Sequence, residues 1–291
     1  MPDKVLIFSR FPKAMLARFG QRFELMNAAG KPVRDVFTAE QLAGVRAMIT
    51  AGGTPLGGAV MDALPSLRAI VCYGTGYDGV DLAVTLMLAA TRRLLPADDY
   101  VRSGHWASAE PSPLLSPQTG NPGRRVGVYG MGEIGRKIAS RAAAFETEVG
   151  YFSRSRHDVP FGFFASLAAL AEWCSVLMIA VRAGADTHHA VDAAILQKLG
   201  KEGFVVNISR GSVIDEAALV TALADNTIAG AGLDVFEKEP IAPDALTAFP
   251  NVVLTPHIGG HTIESHVAMQ DCVIANLEAF FAGQPLAYPV R

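Results

Sequence analysis

Several features that define whole classes of protein are missing from this 291-residue chain. Its 25 Lys and Arg residues are scattered among 28 Asp and Glu residues, so no basic stripe of the kind that binds a nucleic acid backbone is visible. No apolar run approaches the length of a membrane span, and the opening MPDKVLIFSR lacks the apolar core and cleavage site of a secretory signal. We therefore expect no nucleic acid partner, no membrane and an intracellular location.

Cysteine is also scarce. Cys72, Cys174 and Cys272 are odd in number, far apart and set among apolar residues. This pattern predicts reduced thiols in the core of a cytoplasmic protein, and neither a disulfide framework nor a metal site is expected from it.

Residues 1 to about 80 alternate short apolar runs with helical stretches, which is typical of a parallel sheet covered by helices. We predict strands at residues 4–8, 23–26, 47–50 and 69–73, with helices at 13–19, 39–44 and 58–64. The fourth strand leads into the glycine-rich loop Gly74, Thr75, Gly76. Such a loop either presents backbone N–H groups to a carboxylate or is a plain turn, and the spacing alone favours neither.

Residues 126–139, VGVYGMGEIGRKIA, combine a strand pattern, a glycine turn and a helix start. Gly130, Gly132 and Gly135 have G-x-G-x-x-G spacing. The first glycine permits the turn, the second lets the backbone approach a pyrophosphate, and the third allows close packing of helix on strand. The anion then lies on the free N–H groups of the helix N-terminus. This predicts a dinucleotide site, with an ordinary strand-turn-helix unit as the alternative.

The chain from residue 126 onward contains six strand-like runs separated by helical stretches. We predict the strands at 126–129, 149–152, 176–181, 204–208, 228–235 and 252–255, and helices at 136–145, 167–173, 192–199 and 216–225. Six strands with helical crossovers and a glycine motif after the first predict a doubly wound dinucleotide fold. A last helix at 264–283 could cross back to cover the first domain. An apolar helix at 82–95 and a polar arm at 103–125 that contains Trp106 could instead pack on a second copy of the chain.

Three successive strands of this second part each end in an ionisable residue. They are Arg210 in VVNISRGSVIDE, Glu239 in LDVFEKEP and His257 in VVLTPHIGG. Doubly wound sheets bind their ligands at the carboxyl ends of strands, so we expect these side chains to be catalytic, although an isolated histidine is more often structural. The set suits a 2-keto acid: a guanidinium binds its carboxylate and carbonyl oxygen, an imidazolium donates a proton, and a carboxylate stabilises that imidazolium.

His261 follows His257 by four residues, which would suit a metal pair on a helix. Gly259 and Gly260 lie between them and break the helix that such ligation requires, so we expect no metal site here.

The end of the second strand of the dinucleotide fold carries no acidic residue. NAD-binding versions of this fold place an Asp or Glu there, about twenty residues past the glycines, on the adenosine ribose hydroxyls. Here the strand ends in Ser153, Arg154, Ser155 and Arg156. Arg154 suits a bidentate pair with a 2′-phosphate and the serines can donate to its oxygens. We predict that NADPH is preferred and that NADH use stays possible, with a solvated basic loop as the alternative.

These motifs together resemble the D-isomer-specific 2-hydroxyacid dehydrogenases, and more narrowly the glyoxylate/hydroxypyruvate reductases among them. The resemblance covers nearly the whole chain and is most specific in GMGEIG, NISRGSVIDEAAL, GAGLDVFEKEP and NVVLTPHIGG. It implies an α/β fold with two doubly wound parallel-sheet domains: a flavodoxin-like substrate domain at 1–81 and 265–291, and a Rossmann-type cofactor domain at 82–264. It also implies a homodimer formed through the helix and arm near Trp106.

The resemblance also assigns roles to single residues. It makes Arg210 the substrate-binding arginine, Glu239 the partner of the histidine and His257 the acid/base that also contacts substrate, with Gly74, Thr75 and Gly76 binding the substrate carboxylate. The cofactor residues it implies are Gly130, Met131, Gly132, Glu133, Ile134, Gly135, Ser153, Arg154, Ser155, Val181, Thr187, Ile208, Ser209, Asp234 and Gly260.

The chain departs from this family in one segment. Members usually have a strand and a Pro-Gly loop between a GVDL-like segment and an LAVTLML-like helix, whereas here Leu82 is followed directly by Ala83. Such a deletion shortens the connection between the domains and puts activity in question. The same fold also serves in dinucleotide-sensing binding proteins such as corepressor-like relatives of the family, and such a protein is the alternative to an enzyme, although this chain shows no extra tail or peptide-docking insertion.

Overall fold

The structure is a computed structural model that describes residues 2–52, 54, 56–74, 79–108 and 123–289. The chain divides into two compact units: a first unit made of Met1–Gly76 with Gly260–Arg291, and a second unit, Tyr77–Gly259. Each boundary lies five residues before the one that the sequence suggested. The first boundary lies earlier than predicted because the next helix already begins at Gly79 and packs within the second unit.

The first unit is built on a four-stranded parallel sheet. Its strands are β1 Lys4–Ile7, β2 Glu24–Asn27, β3 Ala47–Ala51 and β4 Ala69–Tyr73, and its first helices are α1 Lys13–Gly20, α2 Val33–Val36, α3 Ala39–Ala43 and α4 Gly58–Asp62. The strand order is β2-β1-β3-β4 with every neighbour parallel, which is the flavodoxin-like order. The predicted elements are present, and α2 is one that the sequence analysis missed because it spans a single turn.

The second unit is built on a seven-stranded parallel sheet. Its strands are β5 Arg125–Tyr129, β6 Glu148–Phe152, β7 Gly162–Phe163, β8 Val176–Ile179, β9 Phe204–Asn207, β10 Gly230–Leu233 and β11 Val252–Leu254. Its helices are α5 Gly79–Thr91, α6 Leu94–Arg102, α7 Glu133–Ala144, α8 Leu167–Trp173, α9 Ala193–Leu199, α10 Glu216–Ala224 and α11 Asp244–Thr247. The order β7-β6-β5-β8-β9-β10-β11 is the doubly wound dinucleotide order with one strand added beyond its usual six. Two parallel-sheet α/β units confirm the predicted fold class, while the two-residue β7 is too short to give a pattern in the sequence.

The last helix, α12 Ile263–Phe281, belongs to the first unit. Its buried side chains Met269, Val273 and Leu277 pack in one apolar cluster with Val5 and Ile7 of β1. The C-terminal helix therefore packs on the sheet that the N-terminal part of the chain forms.

Helix α5 has a different environment from the one predicted. Val80, Ala83, Leu86 and Met87 are buried in the same cluster as strands β5, β8 and β9, and a Cβ on Gly232 of β10 would lie 3.0 Å from the Leu86 Cβ. The expectation that this helix packs on a second copy of the chain is thus wrong, because its apolar residues cover its own sheet. The helix also ends earlier than predicted, at Thr91, and Arg93, with φ of 50°, separates it from α6.

The prediction of three core thiols holds for one cysteine only. Cys174 is buried, whereas Cys72 is exposed and Cys272 is intermediate, and in the described residues no disulfide joins them. Burial raises the pKa of the Cys174 thiol to about 12, so this thiol is protonated at neutral pH. Across the described ranges, no helix is both long and apolar enough to cross a membrane.

Candidate active site

A cavity of about 670 Å³ opens at the carboxyl ends of β5 and β8, where the strand order of the second sheet reverses. This switch point is where doubly wound sheets bind dinucleotides, and the volume is in the range of cofactor pockets. Eight predicted cofactor residues line the cavity, namely Gly130, Met131, Gly132, Ser153, Arg154, Ser155, Val181 and Thr187. The sequence analysis missed other lining residues, among them His157 and the 182–186 segment.

The glycines of the motif have the geometry that a pyrophosphate requires. Gly130 has φ of +100°, and a Cβ on Gly135 would lie 1.9 Å from the Gly130 carbonyl oxygen, so α7 approaches the strand end too closely for any side chain there. Gly132, the N-cap of α7, has no atom within 4 Å of its Cβ position and provides no side-chain cap to the helix. Open space therefore faces the first N–H groups of a 12-residue helix, which fits a bound phosphate anion.

The end of β6 lies on the wall of the same cavity. Ser153 donates a hydrogen bond to the Ser155 carbonyl oxygen at 2.6 Å, and Arg154 is exposed beside it. The predicted residues Ile208 and Ser209 follow β9, and the Ser209 hydroxyl donates to the carbonyl oxygen of Val181, which lines the cavity. Glu133 and Ile134 lie in the first turn of α7, outside the cavity lining.

His257 and Glu239 form a hydrogen-bonded pair. The His257 Nδ1 lies 2.7 Å from the Glu239 Oε2, and the Phe236 N–H donates to Glu239 Oε1 at 3.2 Å. Since the carboxylate only accepts, Nδ1 carries the proton, and Nε2 is the ring nitrogen that remains for a substrate. The pair borders a second cavity of about 340 Å³ with mainly apolar walls, among them Pro240 and Leu254.

Asp234 organises the turn that carries His257. Its buried carboxylate accepts hydrogen bonds from the Thr255 hydroxyl at 2.7 Å, from the Ile258 N–H at 2.8 Å and from the Gly259 N–H at 2.9 Å. The Asp234 carbonyl oxygen also accepts from the His257 N–H at 2.8 Å. His257 has φ of 53°, an uncommon conformation for a non-glycine residue, and such conformations persist only where surrounding contacts fix them. The cofactor-binding role that the resemblance gives Asp234 stays a prediction.

Arg210 is exposed on the loop after β9, and its Nη1 donates to the Ser209 carbonyl oxygen at 2.6 Å. The next residue, Gly211, fixes this loop against the Glu239 segment: a Cβ there would lie 1.9 Å from the Phe236 carbonyl carbon. Only glycine permits this approach, so the loops that carry Arg210 and Glu239 pack directly on each other.

A cluster that the sequence analysis did not predict anchors the Glu239 segment from the other side. The Glu216 Oε1 accepts a hydrogen bond from the Glu237 N–H at 2.7 Å, and His189 Nε2 pairs with the Glu237 carboxylate. Burial raises the pKa of Glu216 above its ordinary value. Glu216 thus contacts the backbone two residues before Glu239, and His189 contacts the Glu237 side chain. No motif in the sequence signals this cluster, because His189 lies in a different loop.

Two of the predicted site residues that the structure describes belong to the first unit. Gly74 follows β4 with φ of +128°, and Gly260 begins the C-terminal part of that unit. Thr75 and Gly76 lie outside the described residues. Within the described ranges, no group of three or more His, Cys, Asp or Glu side chains could hold a metal ion.

A doubly wound sheet with a glycine turn at its switch point, and a carboxylate-paired histidine at its strand ends, defines the class of NAD(P)-dependent dehydrogenases. Comparison with known proteins narrows this class. Residues 84–259 match the NAD binding domain of the D-isomer specific 2-hydroxyacid dehydrogenases, and residues 5–88 match their catalytic domain. The chain belongs to this family, which confirms the resemblance found in the sequence.

Individual relatives are similar over most of their length. The hydroxyphenylpyruvate reductase of Plectranthus scutellarioides is 35% identical over 93% of both chains. The 2-ketogluconate reductase of Gluconobacter oxydans is 40% identical over 84% of this chain and 86% of its own. The crystal structure of NADPH-dependent glyoxylate/hydroxypyruvate reductase from Sinorhizobium meliloti, in complex with NADP and malonate, has a TM-score of 0.91 and 35% identity, and covers 100% of this chain and 97% of that one.

Proposed function

We propose that this protein reduces a small 2-keto acid, with glyoxylate and hydroxypyruvate preferred, to the D-2-hydroxy acid with NADPH. The observation that carries the proposal is the His257–Glu239 pair, at 2.7 Å, on the same sheet that carries the dinucleotide cavity. Bound NADPH supplies the hydride. Gly130, Gly132 and the N-terminus of α7 would hold its pyrophosphate.

The residues of the chain supply binding and proton transfer. The guanidinium of Arg210 binds the carboxylate and the carbonyl oxygen of the keto acid. His257 donates the proton from Nε2 to the carbonyl oxygen, and Glu239 keeps the ring oriented through Nδ1 and stabilises its protonated form. A hydride on the carbonyl carbon and this proton on its oxygen together convert the keto acid to the alcohol, so each of the three side chains has a defined task.

The substrate assignment is tested by steady-state turnover with a panel of 2-keto acids and NADPH, followed by the absorbance of the reduced cofactor. We expect the highest kcat/KM with glyoxylate and hydroxypyruvate. A clear preference for the bulky aromatic hydroxyphenylpyruvate or for 2-ketogluconate would overturn the narrower claim. Cofactor binding without oxidation by any of these acids would favour the dinucleotide-sensing alternative.

The NADPH preference rests on the residues at the end of β6. Arg154 and the two serines line the dinucleotide cavity at the place where NAD-specific folds have an acid. One charge-assisted hydrogen bond is worth about 1.5 to 3 kcal/mol. Arg154→Ala should therefore weaken the binding of NADPH by roughly ten- to a hundredfold and leave the binding of NADH nearly unchanged. The measurement is kcat/KM with both cofactors for both proteins. Equal or better use of NADH by the unmutated enzyme would refute the preference.

We further propose a homodimer formed through α6 and the segment after it. Leu94, Leu95, Val101 and Trp106 are exposed, and Trp106 has 75% of its surface accessible. Large apolar side chains grouped in this way are typical of surfaces that a partner covers. The cytoplasmic location stays a proposal based on the cysteine content.

A further inference from the structure

His157 lies on the wall of the dinucleotide cavity, next to the Ser153, Arg154, Ser155 run. Its imidazole is half-buried, and its Nδ1 lies 3.1 Å from the Nη2 of Arg136. Arg136 is in the first part of α7, directly after the last glycine of the motif. The two basic side chains therefore connect the adenosine end of the cavity with the helix that faces the pyrophosphate.

The position of His157 is fixed by a side chain from the sheet. Tyr151 of β6 is fully buried, and its hydroxyl accepts a hydrogen bond from the His157 N–H at 2.8 Å and donates to the His157 carbonyl oxygen at 3.1 Å. A buried tyrosine that holds both backbone groups of one loop residue orients that residue before any ligand binds. Preorganisation of this kind lowers the entropy cost of a contact.

The contact with Arg136 determines which ring nitrogen of His157 can act on a ligand. A guanidinium has donors only, so Nδ1 is the acceptor and the neutral ring carries its proton on Nε2. Nε2 is then a hydrogen-bond donor, in a wall that already contains the Arg154 cation and two serine hydroxyls. Donors and cations grouped in this way fit a phosphate group, which presents several acceptor oxygens.

We propose that His157, oriented by Arg136, binds the 2′-phosphate of NADPH and adds to the discrimination that Arg154 provides. The proposal rests on the NADPH preference proposed above and names a second residue that contributes to that preference. Two carboxylates belong to the same region: Asp186 lines the cavity and Asp158 follows His157 in the chain. The imidazole contacts the Arg136 guanidinium.

The test is calorimetric titration of the full-length protein with 2′,5′-ADP and with 5′-AMP, which differ by the 2′-phosphate alone. His157→Phe keeps an aromatic ring and removes the donor. We expect it to weaken the binding of 2′,5′-ADP by about tenfold and to leave the binding of 5′-AMP within about twofold. His157→Gln retains an N–H donor and should keep most of the affinity for 2′,5′-ADP. Arg136→Leu should lower that affinity, as His157→Phe does. His105→Phe, at an exposed histidine of the same unit outside the cavity lining, is the matched control.

The outcomes separate this inference from the proposed function. If the unmutated protein binds both nucleotides equally, the NADPH preference itself fails. If it prefers 2′,5′-ADP and His157→Phe keeps that preference, Arg154 and the serines act without His157 and the inference is overturned. Equal weakening of both nucleotides would place His157 on the shared adenosine and would overturn it as well, whereas selective loss of 2′,5′-ADP affinity supports it.

Discussion

Replacement of His257 by alanine or asparagine is expected to lower kcat by about 10² to 10⁴ and to leave the affinity for the dinucleotide nearly unchanged, because a positioned proton donor contributes a rate factor of this size. The ring does not line the dinucleotide cavity, and its hydrogen bond is to Glu239. Single-turnover rates with glyoxylate give the chemical step, and fluorescence titration with NADPH gives the affinity.

His105→Asn is the control for this experiment, since His105 is an exposed histidine of the same unit on the helical turn after α6. It should retain the kcat of the unmutated protein. A His257 variant that keeps near-normal kcat would show that another group donates the proton. A variant that loses cofactor binding together with kcat would show that His257 has a structural task beyond the one proposed.

The features that the sequence predicted well are those set by local backbone requirements. The G-x-G-x-x-G spacing predicted the turn after β5 because only glycine tolerates the φ of Gly130 and the approach of the Gly130 carbonyl to Gly135. The apolar runs predicted nearly every strand because strands buried on both faces are continuously hydrophobic. Arg210, Glu239 and His257 were predicted by the same logic, since each follows such a run within a few residues, and their catalytic roles stay a prediction.

The features that the sequence could not predict depend on contacts between distant segments. The pairing of His189 with Glu237, and of His157 with Arg136, joins distant segments that no periodicity relates. The burial of α5 on its own sheet was missed because an apolar helix looks the same whether its own sheet or another subunit covers it. Likewise, apolar neighbours in the sequence did not make Cys72 a core residue, because its side of β4 is exposed.

The shortened segment between Leu82 and Ala83 stays the main departure from the family pattern. The alignment with the Plectranthus protein runs over 295 positions while it covers 93% of a 291-residue chain, so it includes positions that this chain lacks. In the structure Leu82 and Ala83 lie within one continuous helix, α5. The family's extra strand would fall between these two residues, inside this helix, and turnover by the unmutated protein is therefore the measurement that shows whether the short connection supports activity.

Asp234→Ala is expected to destabilise the second unit strongly and to lower kcat at the same time. The substitution removes the acceptor of three hydrogen bonds and leaves the Ile258 and Gly259 N–H groups without their partner in a partly buried turn. Loss of two charge-assisted bonds alone costs at least about 3 kcal/mol of the free energy of unfolding. For a unit of this size that corresponds to a fall of roughly 6 to 12 °C in melting temperature, measured by calorimetry. Turnover should fall with it, because the φ of 53° at His257 depends on the same turn.

Two comparisons make this result specific to the buried carboxylate. Asp234→Asn keeps one acceptor oxygen, which can still bind the Thr255 hydroxyl and one backbone N–H, so it should lose less stability than the alanine variant. Asp225→Ala removes an exposed carboxylate at the end of α10 and should change the free energy of unfolding by no more than about 0.5 kcal/mol. If Asp234→Ala melted within about 2 °C of the unmutated protein, the hydrogen bonds to Thr255, Ile258 and Gly259 would not be what holds the turn. The position of His257 would then have to come from its side-chain bond to Glu239 and its backbone bond to the carbonyl oxygen of residue 234.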